Sequence, residues 1–171
     1  MNNGTIYLIG MMGSGKTTVG KLLAEKMEIP FVNIDSVIEK EQVQTISQLF
    51  YSDGETHFRN LETEALKSAS DCVVACGGGV VLRRENRALI RSHGTVILLT
   101  ASMSELSKRT TSLDSRPLMN GPIERVKALE QLWEERRNRY TESAHFSIDT
   151  EVRTPKEVCQ RILERVGNAD S

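Results

Sequence analysis

The string Gly10-Met11-Met12-Gly13-Ser14-Gly15-Lys16-Thr17 constrains this chain more than any other stretch. It satisfies G-x-x-x-x-G-K-[ST], with the apolar run Ile6-Tyr7-Leu8-Ile9 before it and a helical pattern over 15–27 after it. Such a string arises by chance in roughly one chain in a couple of hundred of this length. Between a strand and a helix, its glycines let backbone N–H groups converge on phosphate oxygens, and the helix N-terminus adds partial positive charge. Lys16 then reaches the β- and γ-phosphates and Thr17 ligates Mg²⁺. The expected ATP contacts are Gly13, Ser14, Gly15, Lys16, Thr17 and Thr18. The loop does not itself say what becomes of the γ-phosphate.

The rest of the chain repeats the strand–helix theme. Short apolar runs at 6–9, 31–34, 72–76, 95–99 and 146–148 predict five strands. Amphipathic stretches at 15–27, 55–69, 123–140 and 155–166 predict helices between and after them, with Phe58, Leu61, Ala65 and Ala69 on one face of the second. Strands apolar on both faces and separated by helices imply a parallel sheet covered on both sides. Ligands in such sheets bind beyond the carboxyl ends of the strands.

At 171 residues the chain suits one domain spanning 1–171. Its 22 basic residues balance 23 acidic ones, which argues against a dedicated nucleic-acid or membrane-surface binder. Apolar runs are a handful of residues long, far short of the ~20 of a membrane span. Residues 1–4 carry no charged or long apolar segment, so no signal peptide is expected. Cys72, Cys76 and Cys159 are odd in number and lack a paired Cys/His set, which reads as buried thiols in a reducing, cytoplasmic compartment.

No N-K-x-D base-reading motif is present, and motor and transporter ATPases need larger domains. The size favours a kinase for a small metabolite, which requires an acceptor pocket facing the γ-phosphate. Asp35, at the end of the second strand, reads as the group that orients and deprotonates an acceptor hydroxyl or as a helix N-cap. Arg59 reads as an anion ligand or as one member of a solvated salt bridge with Glu55 and Glu62. Gly77-Gly78-Gly79 ends the third strand, where one glycine would serve a turn and three permit close ligand approach. Arg136 lies within the apolar stripe Val126, Leu129, Trp133 and Tyr140, where a guanidinium needs an anion, either a ligand carboxylate or an internal acid. The polar segment 109–121, with Arg109 and Arg116, reads as a lid or as a plain surface loop.

These residues taken in order resemble the shikimate kinases over essentially the whole chain. The likeness rests on the phosphate loop, Phe31-x-x-x-Asp35-x-x-Ile38-Glu39, Glu55-x-x-Phe58-Arg59-x-x-Glu62, Gly77-Gly78-Gly79, Arg116-Pro117-Leu118, Arg136-x-x-x-Tyr140-x-Glu142-x-Ala144 and Asp149-Thr150. The resemblance implies a P-loop NTPase of the nucleoside-monophosphate-kinase-like kind, an α/β fold with a five-stranded parallel sheet and helices on both faces. It implies Mg²⁺- and ATP-dependent phosphorylation of the 3-hydroxyl of shikimate, toward chorismate and the aromatic amino acids. A monomer is expected, although the sequence itself does not give the oligomeric state. By position, Asp35 matches the carboxylate that activates the hydroxyl, and Arg59 and Arg136 match the arginines that hold the substrate carboxylate. Gly77, Gly78 and Gly79 match the backbone contact to substrate, Arg116 the lid arginine on the phosphates, and Arg109 and Arg153 positions near the adenine. One position departs from the pattern. Asn33 stands where the family usually has the first Asp of D-x-D, which keeps an oxygen acceptor and loses a charge associated with Mg²⁺. The rival readings are a kinase for gluconate or a nucleoside monophosphate, and a nucleotide-sensing module without an acceptor pocket.

Overall fold

In the central strands, successive side chains alternate between two faces and both faces are apolar. The computed structural model describes residues 4–110 and 121–168. In chain order the elements are β1 (Thr5–Ile9), α1 (Lys16–Met27), β2 (Phe31–Asn33), α2 (Ile34–Gln42), α3 (Ile46–Ser52), α4 (Gly54–Lys67) and β3 (Val73–Ala75). A single 3₁₀ turn (Val80–Leu82) leads to α5 (Arg84–His93), β4 (Gly94–Thr100), α6 (Met103–Arg109), α7 (Pro122–Ser143), β5 (Phe146–Asp149) and α8 (Pro155–Asn168).

The five strands form one parallel sheet in the order β2-β3-β1-β4-β5. The central strand β1 pairs Ile6 with Val73 on one side and with Thr95 on the other. One face of the sheet presents Tyr7, Ile9, Val74, Val96 and Leu98 to Phe58 and Leu66 of α4, Ile90 of α5, and Leu129 and Tyr140 of α7. The other presents Ile6, Leu8, Val73, Ile97 and Leu99 to Val19 and Leu23 of α1 and to Val158, Cys159 and Ile162 of α8. The expected covered parallel sheet is therefore present, with its carboxyl edge carrying the loops that follow β1, β2, β3 and β5.

Two local expectations change. The second strand stops at Asn33, and the cap of α2 is Asn33 itself, whose Oδ1 accepts from the Ser36 N–H at 3.0 Å. Asp35 is not that cap; it sits in the first turn of α2. On α4 the fully buried face runs through Phe58, Glu62, Thr63 and Leu66, so Glu62 points inward rather than into solvent. The three cysteines are buried and free, as expected.

Between α7 and β5 a side chain replaces a ladder partner. The His145 N–H donates to the Val96 carbonyl at 2.8 Å, and the Val96 N–H donates to His145 Nδ1 at 2.9 Å. Nδ1 can accept only while it is unprotonated. Burial first, then the neighbouring Arg91 charge, hold the His145 pKa below its ordinary 6.5. The unfolded chain therefore takes up this proton before the folded one does. Stability contributed at this site is complete above about pH 6.5 and falls as pH drops below it. Urea melts at pH 7.5 and pH 5.5 should show this loss, and His145→Asn should reduce the difference between the two pH values; an unchanged difference would clear His145.

Candidate active site

Three loop glycines adopt backbone angles that side chains rarely tolerate, Gly10 at φ 144°, Gly13 at 78° and Gly15 at 97°. They curl residues 10–15 around the N-terminus of α1, which begins at Lys16. Lys16 Nζ donates to the carbonyls of Gly10 at 2.8 Å and Met11 at 2.9 Å, which keeps the ammonium inside the bowl of the loop. A cleft of about 610 Å³ opens beside it, lined by Gly13, Ser14, Gly15, Lys16, Thr17, Thr18, Arg109 and Arg153 among others. Every described residue expected to contact ATP therefore borders one cavity.

Arg109 belongs to the frame of this cleft. It ends α6, where Nε pairs with Glu105 at 2.9 Å, Nη1 reaches the Gly13 carbonyl at 3.3 Å and Thr150 Oγ1 at 2.9 Å, and Nη2 reaches the Thr150 carbonyl at 3.0 Å. The buried Thr150 hydroxyl also lies 3.2 Å from the Ser14 carbonyl and 3.1 Å from that of Thr100. Arg109 and Thr150 thus tie the phosphate loop to the ends of β4 and β5. Sequence reasoning left Thr150 out of the site, although its place just after a strand end was a usable signal. Arg109 was expected to begin a lid over 109–121; Arg116 and the rest of 111–120 lie outside the described residues.

Between the two halves of the site, Asn33 Nδ2 donates to Thr17 Oγ1 at 3.1 Å. Because Oδ1 is committed to the α2 cap, the amide presents its nitrogen to Thr17, and the oxygen acceptor that Asn33 keeps is used within α2. This leaves a lone pair and the hydrogen of the Thr17 hydroxyl for other partners.

The acceptor side is organised by the triple glycine. A β-carbon on Gly77 would lie 3.0 Å from Asp35 Oδ1 and 3.0 Å from Glu62 Oε1. One on Gly79 would collide with the Arg59 guanidinium. One on Gly78 would lie 3.7 Å from Arg136 Nη1 and 3.7 Å from the Tyr140 hydroxyl. None of the three glycines has positive φ, so their role is close approach rather than an unusual backbone. Three residues far apart in sequence, Asp35, Arg59 and Arg136, converge on successive glycines, and the Gly10 carbonyl lies 3.8 Å from the Gly78 β-carbon position. This brings the acceptor groups against the start of the phosphate loop.

The two arginines differ in their partners. Arg59 pairs with Glu62 at 3.0 Å and Glu55 at 3.4 Å, as the salt-bridge reading expected, but Glu62 is 0% exposed and the Arg59 side chain only 12%. This is a buried ion pair, in which Glu62 holds the guanidinium against Gly79. Burial pushes the Glu62 carboxyl up, and Arg59 pulls it back. Arg136 faces the Tyr140 hydroxyl and has no acidic partner among the described residues, and its buried Nε has no hydrogen-bond partner there. An inward guanidinium with spare donors suits a ligand carboxylate.

The chain matches the family described as shikimate kinase over residues 12–167. A shikimate kinase of Thermodesulfovibrio yellowstonii is 43% identical to it, with 95% of this chain and 96% of that protein covered. The structure of a shikimate kinase from Acinetobacter baumannii in complex with shikimate superposes with a TM-score of 0.90 at 34% identity, covering 97% of this chain and 94% of that one. A gluconokinase from Sinorhizobium meliloti superposes at 0.60 with 19% identity over 99% of both chains, a likeness of fold alone. With the fold, the phosphate loop and the acceptor residues in this arrangement, the chain belongs to the shikimate kinase family.

Proposed function

We propose that this protein transfers the γ-phosphoryl group of ATP to the 3-hydroxyl of shikimate, giving shikimate 3-phosphate and ADP on the route to chorismate and the aromatic amino acids. The convergence of Asp35, Arg59 and Arg136 on Gly77–Gly79 beside the phosphate loop carries this reading. The two guanidiniums hold the single carboxylate of the acceptor, Arg136 with its spare donors and Arg59 from its Glu62 support. The glycine backbone lies close to the acceptor ring. Asp35 orients the reacting hydroxyl and takes its proton as the phosphoryl group moves; in a loose transition state this transfer is late. Lys16 follows the β- and γ-phosphates, and Arg116, by resemblance, meets them from the segment outside the described residues.

Thr17 fits Mg²⁺ as a single hydroxyl ligand, and no cluster of three or more His, Cys, Asp or Glu that could hold a metal occurs among the described residues. A magnesium ion here would take most of its ligands from phosphates and water, and would neutralise phosphate charge. Asn33 contributes no charge to it. The reading takes the chain as one domain and a cytoplasmic monomer, with shikimate and ATP as substrates and neither nucleic acid nor membrane as partner. The near-zero net charge supports the part of this reading that concerns nucleic acid and membrane surfaces. No helix among the described residues is long and apolar enough to cross a membrane.

A coupled ADP-release assay with Mg-ATP, with and without shikimate and with gluconate and AMP as control acceptors, tests the reading. Shikimate-dependent release with a phosphorylated product of the right mass supports it; release with gluconate or AMP instead would replace it. Gly79→Ala provides a narrower check. The new methyl displaces the Arg59 guanidinium, so the shikimate KM should rise about tenfold, the scale of one charged hydrogen bond. The ATP KM should hardly move, and a rise in both would place the damage in the fold instead.

A further inference from the structure

Arg136 and Arg59 are held in place by different means. Arg59 is fixed by two carboxylates, which also offset its charge. Arg136 is fixed by something neutral. The Tyr140 O–H donates to the Gly78 carbonyl, which commits its only hydrogen and turns its lone pairs elsewhere. The Arg136 guanidinium faces that same oxygen. Tyr140 is 0% exposed, and burial pushes its phenol above the ordinary 10, so it remains neutral beside the cation. Its ring stacks on Trp133 with centroids 6.0 Å apart and planes 20° apart, one turn below Arg136 on the inward face of α7. The stacked ring, its burial and the bond to Gly78 therefore hold the phenol in one place, with the negative end of its dipole toward the guanidinium.

We propose that Tyr140 is a positioning residue of the acceptor pocket, whose hydroxyl holds the Gly78 carbonyl and the Arg136 guanidinium in one frame while leaving the Arg136 charge for the acceptor carboxylate. A carboxylate in its place would fix Arg136 equally well but would compete with the acceptor for it. A phenylalanine would fill the same space and stack the same way, but would leave both the carbonyl and the guanidinium unanchored. The proposal rests on the reading that Arg136 binds that carboxylate.

Tyr140→Phe tests it, with Arg136→Ala and the double variant measured alongside. Steady-state kinetics give KM for each substrate, calorimetry gives the Kd of shikimate, and melting curves confirm folding. In Tyr140→Phe the shikimate KM and Kd should rise about tenfold, the scale of losing one hydrogen bond to a charged group. The ATP KM should stay within about twofold, with kcat falling much less than the shikimate affinity. In the Arg136→Ala background the same change should have little further effect, because the two residues act through one contact. Wild-type shikimate affinity in a folded Tyr140→Phe protein overturns the proposal. So do equal losses for both substrates with a large drop in Tm, and so does full additivity with Arg136→Ala. If Arg136→Ala binds shikimate as tightly as wild type, the acceptor reading falls and takes this proposal with it. If Arg136→Ala loses binding while Tyr140→Phe is silent, only the role of Tyr140 is lost.

Discussion

Replacing Asp35 by alanine should lower kcat by about a hundredfold to a thousandfold while leaving the ATP KM near its original value. The magnitude is that of a positioned proton acceptor, and the loose transition state of phosphoryl transfer keeps it from being larger. The selectivity follows from placement. Asp35 sits in the first turn of α2, where a carboxylate is favoured, with Oδ1 against Gly77. It is not among the residues bordering the nucleotide cleft. Asp35→Asn separates charge from shape, since the amide can still orient the hydroxyl but cannot take its proton. Turnover should fall nearly as far in that variant. Turnover close to wild type in either variant would remove Asp35 from the chemistry.

Arg136→Ala should act on the other parameter, raising the shikimate KM about a hundredfold. Removing the guanidinium leaves the acceptor carboxylate in a half-buried pocket with one of its two cations gone, and the loss of one partner of a desolvated pair costs about 3–5 kcal/mol. The lower end of that range is taken because Arg59 remains. Arg136→Lys should restore little, because an ammonium cannot reproduce the planar fork from the same helix position. Initial rates over a shikimate series at saturating ATP decide the matter. An unchanged KM would mean that the carboxylate binds elsewhere.

The sheet was legible in the sequence because the strands that become β1, β3 and β4 are apolar on both faces, the pattern of a covered parallel sheet. Arg136 was legible for the converse reason: a cation in the middle of the Leu129–Trp133–Tyr140 stripe needs an anion, and the structure shows none from the chain among the described residues. Glu62 was not legible. Its spacing from Arg59 is that of any exposed salt bridge, and only the packing of α4 against α2, with Gly77 beside the carboxylate, shows that it is buried. Asn33 and Asp35 are both good cap residues two positions apart, and where β2 ends decides between them. The bonds of Arg109 to Thr150 span 41 residues and depend on β4 and β5 lying side by side, which no local pattern encodes.

The strand order also governs when the chain can fold during synthesis. The central strand β1 is made first, yet its partners are β3, some seventy residues later, and β4, some ninety residues later. Until residue 100 has left the ribosome, β1 lacks one of its two neighbours, and its buried apolar side chains remain open to other chains. The phosphate loop inherits this delay, because Gly10 is packed against the Leu99 carbonyl at the far end of β4. Nucleotide can therefore stabilise the loop only once the chain has been made through β4. A ribosome-bound fragment ending before β4 should neither bind ATP nor be protected by it from proteolysis, however intact its glycine-rich loop.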